Sequence, residues 1–294
     1  PIRQPEPKPP LALRPTRLSV TRIETLRRDP YAIHAEYILK LKPLDSLGAE
    51  IGVADFGNAF HAVLAEYVAR HPSGPLPAQA RAQLLDAARA AFAPFLRDPD
   101  FAALRWPGVE AAIEFWLGFE TGRRAGLAES LVETSGALTF RLADGSDFTL
   151  TAQADRIDRL KTGAYAVLDY KTGTAPTKAT VRVGFAPQLT LEAAMIERGA
   201  FRDIPDGARV AGALYVKLTG AGGGKLIDLS WKDASLADVS GEHFAQLGAY
   251  LSWFRDEANG YLSRPWPQYA QRYSDYDHLA RVMEWSAGEG GEEA

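Results

Sequence analysis

The sequence predicts an α/β fold with a helical N-terminal portion, and three observations support this prediction. Up to about residue 129, apolar side chains recur at intervals of three and four, which is the spacing of amphipathic helices. From residue 131 the pattern changes to an alternation of apolar and polar side chains, which is typical of strands. After this change, further strands alternate with helices, so we expect one compact α/β unit.

The N-terminal portion is predicted to be a series of helices. Ser19 is a good N-cap for the first helix, and Asp29-Pro30 ends that helix and begins a second that runs to about Leu39. A loop is predicted to follow, over residues 41–53. Further helices are predicted over residues 55–70, 77–97 and 108–129.

The strands are predicted from alternation and from turn residues. Residues 131–141 and 147–160 flank Asp144-Gly145, which is a strong signal for a hairpin. Residues 165–170 are continuously apolar, so this strand is expected at the centre of a sheet. Two later strands are predicted at 210–217 and 225–230, and two helices at 187–198 and 236–258.

We predict one domain over residues 17–286, with a segment of different composition at each end. Residues 1–16 are rich in proline and are predicted to form a stiff, extended linker. Residues 287–294 are acidic and rich in glycine, and we expect them to be disordered. Because the chain opens on Pro1 and its first methionine is Met195, we expect it to be a fragment of a longer polypeptide or a processed product.

Composition excludes several classes of protein. No apolar run approaches the roughly 18 residues that a membrane helix needs, and no signal peptide is visible, so we expect no membrane partner. The absence of cysteine excludes disulfides, thiolate zinc sites and iron–sulfur clusters, and is compatible with the cytoplasm. The net charge of −4 argues against a protein that coats nucleic acid, so DNA would require a local basic groove.

Two carboxylates and a lysine lie on neighbouring predicted strands. Asp155 is in the first strand and Asp169-Tyr170-Lys171 ends the second, with a Lys-Thr-Gly turn between the strands. Such carboxylates can hold a hard divalent cation, and the lysine can orient or deprotonate water at a phosphodiester. Strand alternation puts Asp155 on the same inward-facing side as Ile157, where a carboxylate is costly unless it is paired or bound to a metal. In the alternative interpretation, Asp155 pairs with Arg156 or Arg159, while Asp169 and Lys171 form a surface ion pair.

His61 is the third candidate element. It lies in the middle of a predicted helix beside Phe60, Val63 and Leu64, where a histidine is more often a residue at the edge of the core. Its neutral imidazole could instead complete a metal site made otherwise of oxygen ligands. Gly57, one turn earlier, would allow a backbone or a substrate to approach closely.

Taken in order, Gly57-x-x-x-His61, Asp155, Asp169-Tyr170-Lys171 and Gln188 resemble the RecB-like branch of the PD-(D/E)xK nuclease superfamily. Within it, the sequence resembles the C-terminal nuclease domain of AddB-type subunits of AddAB helicase–nucleases, of the type that lacks cysteine. The segments that carry the resemblance are ADRIDR (154–159), VLDYKTG (167–173) and YDHLARVMEW (276–285). The resemblance implies a restriction-endonuclease-like mixed sheet flanked by helices.

The resemblance also implies roles for individual residues. His61, Asp155, Asp169 and the carbonyl of Tyr170 would bind Mg²⁺, or Mn²⁺ as a substitute. Lys171 would position or activate the attacking water, and Gln188 would contact the substrate or Lys171. The implied partners are single-stranded DNA from unwound ends and an AddA-like helicase–nuclease subunit.

The sequence departs from the family pattern at several positions. Ala152 stands where glycine is common, and Glu192 stands where tyrosine usually follows Gln188 by four residues. Many relatives carry four cysteines that bind an iron–sulfur cluster, and this chain has none. We expect the C-terminal aromatic residues to replace that link by packing on the N-terminal helices. They are Trp266, Tyr269, Tyr273, Tyr276 and Trp285.

Three functions are compatible with these residues. The first is a Mg²⁺-dependent deoxyribonuclease, an exonuclease or endonuclease that acts in double-strand break repair. The second is an inactive nuclease-like module for DNA binding or subunit docking, and the third is another hydrolase with the same metal site.

The glycine-rich stretch 220–225 lacks the spacing of a phosphate-binding P-loop and predicts a flexible hairpin. Arg22, Arg27 and Arg28 form one basic patch and the pair Arg123-Arg124 a second, and both are predicted to lie on solvated faces, where either could instead contact phosphate.

Overall fold

The computed structural model describes residues 3–42, 53–219, 222–270 and 274–286. Within these ranges, the chain forms a six-stranded mixed sheet with helices on both faces. The strands are β1 (Arg17–Ser19), β2 (Leu127–Arg141), β3 (Asp147–Leu160), β4 (Tyr165–Lys171), β5 (Val210–Lys217) and β6 (Lys225–Asp228). The helices are α1 (Val20–Arg28), α2 (Pro30–Ile33), α3 (Val53–Arg70), α4 (Ala80–Ala91), α5 (Trp106–Arg124), α6 (Lys178–Arg182), α7 (Gln188–Glu197), α8 (Leu236–Trp253) and α9 (Val282–Ser286). The predicted α/β class and the helical N-terminal portion are confirmed.

The sheet is organised around β3. β2 runs antiparallel along one edge of β3, as the predicted hairpin requires. Along the other edge, β1 pairs in parallel over residues 149–151, and β4 pairs antiparallel over residues 156–159. β5 is parallel to β4, and β6 is antiparallel to β5. The prediction that β4 is central is confirmed, because it has a partner on each side and only Lys171, its last residue, is not fully buried.

The two faces of the sheet support separate apolar cores. Residues of α1, α7 and α8 pack on one face, and residues of α3, α4 and α5 pack on the other. The neighbouring residues Val167 and Leu168 of β4 belong to different cores. This is expected because successive side chains of a strand point to opposite faces of the sheet. A continuously apolar strand is therefore needed where both faces are covered.

Helix boundaries match the predictions best where a capping residue is present. Ser19 caps α1, and its Oγ accepts a hydrogen bond of 3.2 Å from the backbone N–H of Arg22. In contrast, α5 ends at Arg124 instead of 129, because residues 127–132 pair with β3 as the start of β2. α8 likewise ends at Trp253 instead of 258. Most of the predicted loop 41–53 lies outside the described residues.

The proline-rich N-terminal segment lies against the C-terminal part of the chain. The backbone N–H groups of Tyr261 and Ser263 donate hydrogen bonds of 2.9 and 3.0 Å to the carbonyls of Pro7 and Pro5. The buried Arg14 guanidinium donates to the carbonyl of Asp256 at 3.0 Å. Residues 3–16, which we predicted to be a stiff linker, are thus attached to the domain. The predicted tail over residues 287–294 lies outside the described residues.

The C-terminal aromatic residues pack at two places. Trp285 joins a buried cluster with Tyr31 of α2, and the Tyr276 hydroxyl donates a hydrogen bond of 2.9 Å to the carbonyl of Leu41. These contacts confirm the predicted packing on the N-terminal helical portion. Tyr269 instead stacks on Phe185, with 3.8 Å between ring centroids, and Trp266 packs against the same ring. Tyr273 lies outside the described residues.

Candidate active site

The side-chain alternation of β3 changes phase at Asp155. Ala152 and Ala154 pack in one core, and Ile157 packs in that same core although it is an odd number of residues away. On β2, Glu133 has a φ of 48° and takes no part in the pairing with β3 at this point. The irregularity interrupts the alternation from which we predicted that Asp155 faces inward beside Ile157. Asp155 therefore lies where the regular pattern of the strand breaks.

Asp155 contacts the helical layer and the next strand together. Its Oδ2 accepts a hydrogen bond of 2.9 Å from the backbone N–H of Tyr170, and lies 3.3 Å from Nδ1 of His61. Arg156 and Arg159, the partners considered from the sequence, pair instead with other acids. That alternative for Asp155 is wrong, because arginines next to it in sequence point elsewhere in the fold.

His61 is brought to this place by α3. Its side chain is 27% exposed, so it lies at the edge of the core with one nitrogen directed at Asp155. Burial by itself would lower the pKa of His61, but the hydrogen bond to Asp155 and the charges of Asp155 and Asp169 raise it above the usual value. Gly57 allows α3 to lie close to the end of β4, since a Cβ there would lie 3.0 Å from Thr172 Oγ1 and would push that side chain aside.

Asp169 and Lys171 form a close ion pair at the end of β4. Nζ of Lys171 donates a hydrogen bond of 2.9 Å to Oδ1 of Asp169 and lies 2.8 Å from Oδ2. Asp169 is only 2% exposed, so the interpretation as an ordinary surface pair is wrong. Burial raises the pKa of Asp169 to about 6, against the charge of Lys171. Burial alone would lower the pKa of Lys171, but its contact with Asp169 raises it.

Gln188 links the ion pair to α7. Its Nε2 donates hydrogen bonds to Oδ1 of Asp169 at 2.7 Å and to Oε1 of Glu192 at 3.2 Å, and its Oε1 accepts from Nζ of Lys171 at 3.3 Å. The carboxamide is at the N-terminal end of α7, and the helix is buried from Gln188 to Ile196. A rigid, buried helix therefore fixes the position of Gln188 against the end of β4.

Glu192 is a site residue whose part sequence reasoning did not assign. It is fully buried, and its Oε2 has no hydrogen-bond partner among the described residues. Burial raises the pKa of Glu192 well above the usual value, and the charge of Asp169 raises it further. Its spacing of four residues from Gln188 places the two on one helix face, which is the signal that could have identified the contact.

Replacing Glu192 with glutamine is expected to change the pH dependence of stability. Because the folded-state pKa of Glu192 is raised, the folded wild type holds a proton that the unfolded chain releases above about pH 4.5. Wild-type stability therefore declines as pH rises above that value, with a limiting slope of about 1.4 kcal/mol per pH unit for one proton. Glutamine does not titrate, so this contribution to the decline is absent in Glu192→Gln. In urea unfolding between pH 5 and 8, the unfolding free energy of the variant should therefore rise relative to that of the wild type. If plots of unfolding free energy against pH were parallel for the two proteins, this expectation would be contradicted.

A buried ionic network that we did not predict supports the site from the opposite face of the sheet. Nη1 of Arg156 lies 2.7 Å from Oε2 of Glu120, and Nε of Arg156 lies 2.6 Å from Oδ1 of Asp158. All three side chains are fully buried. Arg156 also donates a hydrogen bond of 3.3 Å to the hydroxyl of Tyr170, so the network contacts the residue between Asp169 and Lys171. Glu120 comes from α5, which local sequence patterns do not connect to β3.

The same network corrects the interpretation of the second arginine pair. Arg124 is buried and pairs with Glu120 at 2.8 Å, and Arg123 pairs with Asp158 at 2.5 Å. The prediction that these arginines lie on a solvated face is therefore wrong. In the first patch, Arg22 pairs with Glu36 at 3.0 Å and Arg28 pairs with Glu24 at 2.9 Å. The Arg27 guanidinium lies over the ring of Phe185.

The predicted ligands are of the chemical types that bind a hard divalent cation, but their side chains do not converge on one point in the arrangement described. Carboxylate oxygens with one imidazole suit Mg²⁺ or Mn²⁺. Oδ2 of the buried Asp169 lies 2.8 Å from Nζ of Lys171, so the ammonium already supplies a positive charge at the oxygen that would bind a cation. Among the described His, Asp and Glu side chains, however, no three are close enough together to hold a metal ion. Lys171 and Gln188 hold Asp169, while the ion contact of His61 is with Asp155.

Comparisons with other proteins identify the family of this chain. The model of the PD-(D/E)XK nuclease superfamily matches residues 17–276. An uncharacterized protein of Rickettsia bellii (strain RML369-C) is 35% identical over 188 residues, and uncharacterized protein RC0550 of Rickettsia conorii (strain ATCC VR-613 / Malish 7) is 34% identical over 196 residues. Each alignment covers 64% of this chain but only 22% and 23% of the respective relative. This chain therefore spans about a quarter or less of the length of these relatives.

The crystal structure of SSO0001 aligns with 80% of this chain and 76% of its own chain, at 12% identity and a TM-score of 0.33. Within the described ranges, no helix has both the length and the apolar character needed to cross a bilayer. The family match extends from β1 to the C-terminal segment and includes both acidic strands and the helix that carries Gln188. The chain thus belongs to the PD-(D/E)XK nuclease superfamily.

Proposed function

We propose that this domain is a metal-dependent deoxyribonuclease that hydrolyses phosphodiesters of single-stranded DNA. The observation that carries the proposal is the cluster of Asp169, Lys171 and Gln188 at the end of β4, next to the contact between Asp155 and His61. Polar groups at the end of a buried strand are well placed for a substrate that lies across the edge of the sheet. Membership of a nuclease superfamily gives phosphodiester cleavage as the reaction class.

The metal ligands in this proposal are His61, Asp155, Asp169 and the carbonyl of Tyr170. When bound there, Mg²⁺ or Mn²⁺ would polarise the phosphate and lower the pKa of a bound water. The contacts of Asp169 with Lys171 and Gln188 would have to loosen for its carboxylate to join the other ligands. The imidazole of His61 would have to be neutral to bind a cation, which favours a pH above its raised pKa.

Lys171 supplies positive charge in this proposal. Its pKa is raised by Asp169, so the ammonium stays protonated at neutral pH in the arrangement described. A protonated lysine cannot accept a proton from water, but it can orient the nucleophile and offset charge at the attacked phosphate. Gln188 keeps the ammonium in position, because its Oε1 accepts from Nζ while its Nε2 is occupied by Asp169.

The finer parts of the proposal rest on the resemblance of motifs such as DYK (169–171) to AddB-type nuclease domains. On this basis, the domain acts in double-strand break repair in the cytoplasm, on strands that an AddA-like helicase partner unwinds. The proposed domain spans residues 17–286, with 1–16 leading into it and 287–294 as a tail. The ion pair between Lys171 and Asp169 favours the alternative of an inactive docking or DNA-binding module, because the charge of Asp169 is already neutralised without a metal ion.

The test is cleavage of an end-labelled single-stranded oligonucleotide as a function of Mg²⁺ concentration. We expect cleavage that EDTA abolishes and that added Mg²⁺ or Mn²⁺ restores. Duplex DNA of the same sequence and a simple phosphomonoester, tested in parallel, should react at least ten times more slowly. DNA binding without cleavage at any Mg²⁺ or Mn²⁺ concentration would favour the inactive module, and preferred reaction with the monoester would favour a different hydrolase.

A further inference from the structure

Three lysines form a row across neighbouring strands at the end of the sheet that carries the candidate site. Lys171 of β4 is directly paired with Lys217 of β5, and Lys217 is directly paired with Lys225 of β6. Because adjacent strands are about 4.8 Å apart, the row extends roughly 10 Å from the candidate site, across the ends of β4, β5 and β6. Paired residues on adjacent strands share a face, so the three side chains point the same way.

The outer part of this row has no ion-pair partner among the residues that the structure describes. Lys171 is paired with Asp169, but neither Lys217 nor Lys225 takes part in any of the ion pairs or side-chain hydrogen bonds between described residues. Like charges in direct register destabilise a sheet, so three lysines in succession have no structural advantage. Such a row is explained if a polyanion lies along it.

The turn that leads into Lys225 is held by close packing. A Cβ on Gly223 would lie 2.0 Å from the carbonyl oxygen of Ala111, and a Cβ on Gly224 would lie 2.4 Å from the ring of Phe115. Both contacts are with α5, so these glycines allow the β5–β6 hairpin to lie directly on that helix. The glycine-rich stretch that did not fit a P-loop thus has a role in placing Lys225 in register with Lys217.

We infer that Lys217 and Lys225 form a phosphate-binding track for the DNA strand that enters or leaves the candidate site, an inference that rests on the proposed function. The scissile phosphate would lie at Lys171, and neighbouring phosphates of the same strand would pass over β5 and β6. Contacts of this kind read the charge of the backbone and carry no information on base sequence. The ligand class is therefore single-stranded nucleic acid of any sequence, and the local track explains how an acidic domain binds it.

The test compares Lys217→Gln, Lys225→Gln and the double variant with the wild type. Binding of a fluorescent oligodeoxythymidylate is measured by anisotropy in EDTA at several salt concentrations. Each substitution should lower the slope of log affinity against log salt by about 0.7, and should weaken binding on the order of fivefold near 0.1 M salt. With Mg²⁺, the double variant should show a higher KM for DNA and an unchanged kcat, because neither lysine contacts the reacting phosphate.

Two further variants make the result specific. Lys161→Gln removes one positive charge at the turn between β3 and β4, which is at the opposite end of β4 from Lys171, and should leave the salt slope unchanged. The double Lys217→Arg, Lys225→Arg variant retains the charges and should retain the slope. Circular dichroism and thermal unfolding of every variant verify that the fold is intact.

The outcomes separate this inference from the proposed function. If the wild type cleaves DNA and the double glutamine variant keeps the wild-type affinity and salt slope, the phosphate track is overturned while the nuclease stands. If no protein cleaves DNA but the slopes fall as expected, the nuclease proposal fails and the track remains as a binding site. A loss in Lys161→Gln equal to that in Lys217→Gln or Lys225→Gln would show an effect of net charge alone, and would also overturn the track.

Discussion

Replacing Asp169 with asparagine is expected to reduce the rate of DNA cleavage by at least about 10²-fold, the scale of losing one essential group at a catalytic centre. Asparagine has nearly the same shape, but its side chain carries no negative charge for a divalent cation or for Lys171. The residue is buried and contacts Lys171 and Gln188, so solvent cannot replace the lost carboxylate. Single-turnover cleavage of labelled single-stranded DNA in saturating Mg²⁺ measures the effect.

The control for this experiment is Asp86→Asn, which makes the same chemical change on the exposed surface of α4. Its cleavage rate should equal that of the wild type. Lys171→Ala should lose activity to a similar degree as Asp169→Asn, and the double variant should lose little more than either single variant, because residues that act as a unit are not additive. An Asp169→Asn domain that is folded and cleaves within threefold of the wild-type rate would remove Asp169 from the mechanism.

Replacing Arg156 with methionine is expected to produce the largest loss of stability in the sheet, about 3–5 kcal/mol of unfolding free energy. The substitution leaves the fully buried carboxylates of Glu120 and Asp158 without their shared cation. The charge of Arg156 helps to hold the pKa of Asp158 below its usual value against the opposing effect of burial, so the variant should also bind protons that the wild type does not. Urea unfolding followed by circular dichroism at pH 7 measures the change.

Arg159→Met is the matched control, since it removes the same side chain three residues later on β3. Arg159 pairs with Glu129 at 2.9 Å, but these two side chains are 47% and 45% exposed. Exposed pairs contribute at most about 1 kcal/mol, so the control should change stability by no more than that. Equal losses from the two substitutions would mean that the buried network does not stabilise the sheet beyond an ordinary surface pair.

The helices and strands that were predicted well are those that a short stretch of sequence is enough to identify. The apolar run of β4 indicated a strand covered on both faces, and Ser19 marked the start of α1. The end of α5 and the start of β2 were predicted less well. The local sequence of residues 125–130 is compatible with a helix, and only pairing with β3 makes most of this segment a strand. The three-residue strand β1 was missed for the same reason, since its parallel pairing with β3 spans more than 120 residues of sequence.

The candidate site divides in the same way. The order of the motifs predicted His61, Asp155, Asp169, Lys171 and Gln188 as candidates, and the fold brings them to neighbouring elements. The partner that each charge takes was not predictable from the order. Arg156, considered as a partner for Asp155, joins Glu120 from α5 instead, and Asp155 takes the imidazole of His61 from α3.

By itself, the sequence determined the fold class, the succession of helices and strands, and the chemical types of the candidate site residues. Those properties depend on periodicity, turn residues and chemical type, which neighbouring residues specify together. Only the tertiary structure decided which charges are buried, which pair, and which remain without a partner, as for Lys217 and Lys225 among the described residues. The reason is that the energy of a charge depends on the distance and burial of groups remote in the chain, and folding alone sets these.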